Sequence, residues 1–444
     1  MSNNNQLGVI ACSAIVAGNM MGSGIALLPA NLAAIGSVTF ISWIIASIGA
    51  VALAYVYARL GAENPQEGGP VGYAGEVAPI LGFQTGVLYF NANWVGNLAI
   101  AITGVAYLST FIPALNDPII SSIATIIIIW LFVGLNLLGA KWIGRLVSIG
   151  VVLLLIPVLL TGLAGWFYFS PDLFVQNWNS SGNSSTHAVF SGVLLCIWSF
   201  IGIESASVNS NLVKNPKVTI PRATMIGVSI AAIVYFLSCT AISGMLSNSD
   251  VAHSSAPFSL TVSYMFGSWT TPLVSAVVAF ACLASLGSWM MLTAQAGARA
   301  AHDGTLPKVF GQLNESNTPV KGLLLTALGM SILMILVMLG SKTTAGIFGQ
   351  VISIAVLMTI LPYFYSALNL VDVVEHPVKH FTITVTAVVA MCFCFAAYVG
   401  AESYALVGVT VVSLGSLIFY VRKDREDFER SIYRRVHHWK IDNN

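Results

Sequence analysis

Twelve apolar stretches, each near the length needed to cross a bilayer core, follow one another along almost the whole chain. They run Gly8–Ala33, Val38–Leu60, Ile80–Phe111, Ile119–Leu138, Val147–Phe169, Ala188–Leu212, Ala223–Leu246, Trp269–Ala300, Gly322–Leu339, Ile347–Leu370, Phe381–Val399 and Tyr404–Val421. Only 8% of the 444 residues are charged and 57% are hydrophobic, whereas a soluble domain carries about 25% charged residues. Helices of this composition would not stay dissolved. The expectation is an all-α integral membrane protein with twelve transmembrane helices. The third and eighth stretches exceed a bilayer and should tilt or extend beyond it. Met1 to Gln6 holds no Lys or Arg, so the pattern of a cleaved secretory signal is not met and the first stretch should be kept as a helix.

The basic residues give a direction. With twelve spans and the N-terminus inside, all but Lys342 of the 18 Lys and Arg residues fall on the cytoplasmic side. Positive residues favour the cytoplasmic loops, and one span too many or too few would scramble the asymmetry. Both termini are therefore expected in the cytoplasm. A net charge of +1 gives no field that would recruit nucleic acid. Cys12, Cys196, Cys239, Cys282, Cys392 and Cys394 all lie in apolar stretches and read as reduced core thiols.

Two spans are interrupted by small residues. The first contains Gly18-Asn19-Met20-Met21-Gly22-Ser23-Gly24, and the sixth contains Trp198-Ser199-Phe200-Ile201-Gly202-Ile203-Glu204-Ser205-Ala206. Glycine inside a helix costs about 1 kcal/mol relative to alanine, so mid-membrane breaks are expected at both places. Matching breaks in two five-helix halves point to an inverted repeat around a midplane site. The halves would be about 8–169 and 188–370, with two extra helices at 381–421. Together they form one transporter domain over 1–421, followed by a charged cytoplasmic tail, 422–444. Close helix packing is the alternative reading, although packing glycines usually lie four apart rather than two.

Glu204 is the sharpest chemical signal. It alone among the 17 acidic residues lies within an apolar span, and it lies at the break. A carboxylate at bilayer depth costs several kcal/mol unless it is neutral or paired. No Lys or Arg lies inside a span except Arg59 and Arg299 at the ends of theirs, so a proton or a substrate ammonium would fill that role. A structural, protonated Glu204 bonded to broken backbone is the alternative.

Tyr89, Trp198 and Trp289 lie inside spans rather than at the interfaces, and an ammonium over such a ring gains about 0.5–2 kcal/mol. Asn19, Ser23, Asn93, Asn97 and Ser353 are polar within spans, either for substrate contact or for bonds between helices. The freed N–H groups at Ser23 and Gly24 could hold a carboxylate without an arginine. No GxxxxGK[ST], HExxH or Cys/His cluster is present, so no metal, cofactor or ATP chemistry is expected.

The run Gly18–Gly24 followed by Leu27-Leu28-Pro29-Ala30 resembles the amino acid–polyamine–organocation superfamily. So do Phe200–Ala206 with Val213-Lys214-Asn215-Pro216-Lys217, and Arg299–Pro307. Within it, Gly18–Ala33, Gly82–Tyr89 and Ser285–Met291 resemble the bacterial basic amino acid/polyamine antiporters. The resemblance implies a leucine-transporter-like repeat fold and a homodimer in the bacterial inner membrane. It further implies that Trp289 packs on the substrate's aliphatic stem, Trp198 closes the outer side and Tyr89 lies near the distal cationic group. By the same likeness Asn97 contacts substrate, while Met20, Ser23 and Gly24 hold the α-carboxylate end. Glu204 is linked to the inner gate and pH response, and Tyr73 to a cytoplasmic gate. Asn93 stands where the arginine–agmatine exchangers have a small residue, which favours a compact ammonium.

The expected activity is secondary exchange of external lysine for internal cadaverine, relieving acid stress beside a cytoplasmic lysine decarboxylase. The alternatives are proton-coupled cadaverine or polyamine uptake, and exchange of ornithine for putrescine or arginine for agmatine. A channel or non-transporting receptor fits poorly, because a channel wants rings of like residues or a continuous polar pore.

Overall fold

The computed structural model describes residues 8–21, 23–63, 69–138, 143–208, 213–314, 318–341, 343–373 and 381–422. The tail from 423 onward, Gly22, Gly68, Lys141, Lys342 and Lys379 lie outside the described residues. In chain order the α-helices are α1 (Val9–Met20), α2 (Leu28–Ile35), α3 (Thr39–Glu63), α4 (Pro70–Val77), α5 (Pro79–Leu108) and α6 (Pro118–Leu137). Next come α7 (Ile143–Ala164), α8 (Pro171–Gln176), α9 (Ser185–Trp198), α10 (Ser205–Val208), α11 (Pro216–Met245) and α12 (Asn248–Ala252). The last six are α13 (Pro257–Phe266), α14 (Thr270–His302), α15 (Val320–Met338), α16 (Thr344–Val373), α17 (Phe381–Val399) and α18 (Ser403–Arg422). Among the described residues there is no strand.

Among the described residues nine helices are long and apolar enough to cross a membrane: α3, α6, α7 with the 3₁₀ turn Gly165–Tyr168 that follows it, α11, α14, α15, α16, α17 and α18. The stretches that fall short are the first, third and sixth of the twelve expected. The first and sixth are split into shorter pieces. The third, α5, has 30 residues, but Gln84, Asn91, Asn93 and Asn97 lower its mean hydropathy. The short helices α4, α8, α12 and α13 were not foreseen in the connections.

The breaks have local causes. α1 stops at Met20, where the Met21 N–H closes on the Ala17 carbonyl at 2.7 Å. A 3₁₀ turn, Ser23–Ile25, follows, and α2 then starts with Pro29 in its first turn, a position proline fits because it lacks the N–H. In the sixth stretch, α9 ends at Trp198 and the chain tightens into i→i−3 bonds: Phe200 N–H to Ile197 O at 2.9 Å, Ile201 to Trp198 at 3.2 Å and Ile203 to Phe200 at 3.3 Å. Gly202 has φ +108°, a conformation that only glycine adopts without strain.

The buried centre is built by α16 and α14, whose apolar windows are 72% and 61% buried, while α18 is only 22% buried. α3 packs on α11, α5 on α14 and α16, α6 on α15, and α1 on α11 and α10. Outward faces carry exposed apolar residues at helical spacing, such as Ile120, Ile123, Ile127 and Leu131 on α6, as a lipid-facing surface requires. One expectation needs correction. Five cysteines are buried, but Cys392 is exposed on α17, because it faces outward while Cys394 two positions on faces in.

Candidate functional site

The two breaks meet. Asn19, the penultimate residue of α1, donates from Nδ2 to Ser205 Oγ at 2.9 Å, and Ser205 Oγ donates to the Gly202 carbonyl at 2.5 Å. A side-chain chain thus links the end of α1 to the start of α10. Asn19 is exposed although its neighbour Met20 is 2% exposed. Polar atoms released by unwound backbone find partners here rather than in lipid, the condition under which broken helices survive at membrane depth.

Glu204, adjoining Ser205, is buried at 2% exposure. Its two carboxylate oxygens are held from two different helices. Tyr89 of α5 donates its hydroxyl to Oε1, and Tyr363 of α16 donates to Oε2 at 2.6 Å. Among the described residues the carboxylate has no Lys, Arg or His partner. Each carboxylate oxygen has two lone-pair positions, so two tyrosine hydroxyls leave capacity for a further donor.

A row of buried rings continues from this carboxylate. Tyr363 lies edge-on to Tyr57 with centroids 5.6 Å apart, and Tyr57 lies 6.3 Å from Tyr73. The Tyr57 hydroxyl donates to Ser366 Oγ at 3.1 Å. Tyr73, on α4, therefore joins the Glu204 group through a chain of edge-on and tilted ring contacts.

Trp198 lies against the first break. Its Nε1 donates to the Gly24 carbonyl at 3.1 Å, and its ring meets Phe348 edge-on at 6.5 Å. The ring lies against glycines on both sides: a Cβ on Gly24 would be 3.2 Å from Nε1, and one on Gly96 would be 3.2 Å from Cη2. Bare backbone at both positions lets the indole close over the first break. Nearby in sequence, Asn97 is 2% exposed and donates to Thr293 Oγ1 on α14 at 3.0 Å.

Not all the expected residues converge so directly. Asn93 donates to the Tyr89 carbonyl of its own helix at 2.7 Å, and Ser353 to the Gly349 carbonyl at 2.8 Å. Trp289 is half-buried and packs on the core, without a hydrogen bond to the Glu204 group among the described residues. Met20 is buried, and Ser23 opens the 3₁₀ turn beside Gly24. Tyr363, Tyr57, Thr293 and Phe348 were missed by sequence reasoning. The available signal was the doublet Tyr363 and Tyr365 directly after Pro362 inside a span. No three His, Cys, Asp or Glu side chains cluster to hold a metal among the described residues.

Residues 7–422 match the amino acid permease family. The chain is 52% identical over 430 residues, 96% of its own length and 97% of the relative's, to a cadaverine/lysine antiporter of Escherichia coli (strain K12). It is 32% identical over 424 residues, 94% of this chain and 95% of the relative, to the putrescine transporter PotE of the same strain. A third relative, the putrescine transporter PotE of Haemophilus influenzae, is 29% identical over 421 residues, covering 94% of this chain and 96% of its own. A matching family over nearly the whole length, together with two broken helices joined around a buried carboxylate, places this chain in the amino acid permease family of the amino acid–polyamine–organocation superfamily.

Proposed function

We propose that this protein exchanges external lysine for internal cadaverine by alternating access in the bacterial inner membrane. The observation that carries the reading is the Glu204 carboxylate, buried at the junction of two broken helices and bonded only by neutral hydroxyls among the described residues. A buried carboxylate without a cationic partner is costly, and a substrate ammonium would supply that partner. The 52% identity to a cadaverine/lysine antiporter, against 32% to a putrescine transporter, supports this pair over ornithine and putrescine.

In this reading Tyr89 and Glu204 lie near the distal ammonium, and Trp289 lies against the aliphatic stem. The freed backbone at Met20, Ser23 and Gly24 holds the α-carboxylate end, with Asn93, Asn97 and Ser353 in the polar lining. Trp198 closes the outer side. Glu204 and Tyr73 belong to the inner gate, reached through Tyr363 and Tyr57. The twelve-span arrangement with a five-plus-five repeat is supported by the packing of positional counterparts on one another: α1 on α10, α3 on α11, α5 on α14 and α6 on α15. The single transporter domain over 1–421, cytoplasmic termini, a homodimer and relief of acid stress beside a cytoplasmic decarboxylase belong to the same proposal.

The sign of the current tests it. Lysine carries one positive charge and cadaverine two, so each cycle moves one net positive charge outward. On a supported membrane, adding lysine outside cadaverine-loaded vesicles should give an outward positive current. An inward current, driven by a proton gradient into unloaded vesicles, would instead support a symporter.

A further inference from the structure

α18 lies outside the paired helices and shows most of its surface to lipid: Val407, Val411, Leu414 and Ile418 are all exposed. Its inward side nevertheless carries a polar knot. Gln84 of α5, 4% exposed, donates from Nε2 to Ser413 Oγ at 2.7 Å and to the Ser413 carbonyl at 3.4 Å. The Gln84 Oε1 accepts from the Tyr365 hydroxyl of α16 at 2.7 Å. The orientation of the amide is fixed by its partners, since the Ser413 carbonyl can only accept. Ser416 Oγ donates to the same carbonyl at 2.6 Å, and the Phe83 and Tyr420 rings meet beside the knot at 5.3 Å.

The placement gives this knot a role. Gln84 sits five residues before Tyr89 on α5, and Tyr365 sits two residues after Tyr363 on α16. Five helical residues rise about 7.5 Å, so one amide ties α5 to α16 little more than a helical turn along α5 from Tyr89, whose hydroxyl grips Glu204. α16 is also tied to α4, through Asn369 Nδ2 to Glu76 Oε2 at 2.9 Å.

We infer that α18, through Ser413 and Gln84, is a strap that holds α5 and α16 at one spacing, so that Tyr89 and Tyr363 grip Glu204 as a pair and the inner gate stays shut until substrate opens it. Gln84, Ser413 and Tyr365 are positioning residues, which act through the two tyrosines rather than on the substrate. The inference rests on the exchange reading above. Loosening the strap favours the inward-open state, and apparent affinity on each face follows the fraction of carriers open to that face.

Half-saturation measured separately from each face of oriented proteoliposomes tests it, using lysine outside and cadaverine inside. Ser413→Ala removes the hydroxyl from a helix that tolerates alanine, and Gln84→Met removes the amide. For both variants the external half-saturation should rise and the internal one fall, each by about two- to threefold, the two factors multiplying to the shift expected from the loss of one buried hydrogen bond. Ser413→Thr, which keeps the hydroxyl, should restore wild-type values on both faces. General destabilisation lowers the amount of active carrier without moving the two constants in opposite senses. Shifts in the same sense, or none in either variant while the wild type exchanges normally, would overturn the strap. A wild type that shows no exchange at all would instead remove the carrier reading on which the strap depends.

Discussion

The Tyr363 hydroxyl donates to Glu204 Oε2 at 2.6 Å, a bond that spans 159 residues of sequence and joins α16 to the break of the sixth stretch. Tyr89 takes the other carboxylate oxygen from α5. Moving Glu204 away from α5 and α16 therefore requires two hydroxyl bonds to be exchanged for bonds to substrate or water.

Each hydroxyl can be removed alone. A hydrogen bond to a charged group contributes about 1.5–3 kcal/mol, so Tyr363→Phe or Tyr89→Phe should change the exchange rate by roughly tenfold or more. Because both act on one carboxylate, the double variant should fall short of the product of the two single effects. A double-mutant cycle on exchange rates checks this; strict multiplicativity would mean that the tyrosines act independently.

Glu204→Gln keeps the size of the side chain and one acceptor oxygen but removes the charge. The variant should insert and fold, while exchange falls by about tenfold or more, in line with the loss of a charged hydrogen-bonding partner. Uptake normalised to the amount of folded protein reads the effect, and an unaltered rate would take Glu204 out of the mechanism.

Gly24 and Gly96 leave room for the Trp198 indole, with 3.2 Å between an added Cβ and the ring at each position. That spacing is tighter than ordinary contact, so Gly96→Ala should displace the ring and Gly24→Ala should also strain its bond to the Gly24 carbonyl. Both are expected to raise substrate leak from the outer side while leaving thermal stability within about 1 kcal/mol. Efflux of labelled substrate from preloaded vesicles into buffer, compared with the melting temperature, separates the two effects.

Trp289→Leu keeps an apolar side chain of adequate bulk but removes the ring face. A cation–π contribution of about 0.5–2 kcal/mol corresponds to a loss of affinity of roughly two- to thirtyfold. Calorimetric titration of the folded variant measures it. Normal affinity would mean that the half-buried indole serves the core alone.

The all-helical membrane architecture and the two breaks were readable because long apolar runs have one dominant physical meaning and glycines spaced two apart suit a break better than helix packing. Glu204 stood out because a lone carboxylate in such a run demands a reason. What surrounds it did not stand out. Tyr363 and Tyr57 look like ordinary core aromatics in sequence, and only the fold brings them to within hydrogen-bonding and ring-contact distance of residues far away in the chain. Thr293 pairs with Asn97 across 196 residues, and no local pattern announces that. α4, at eight residues, is too short for its periodicity to register, although Tyr73 on it was singled out by resemblance.

Uptake of labelled lysine into proteoliposomes loaded with cadaverine, putrescine, agmatine or buffer tests the exchange claim most directly. Lysine should enter cadaverine-loaded vesicles rapidly and saturably, enter the others slowly, and barely enter vesicles loaded with buffer. Equal uptake into buffer-loaded vesicles, driven by an inward proton gradient, would contradict exchange and make Glu204 the first candidate for a proton site.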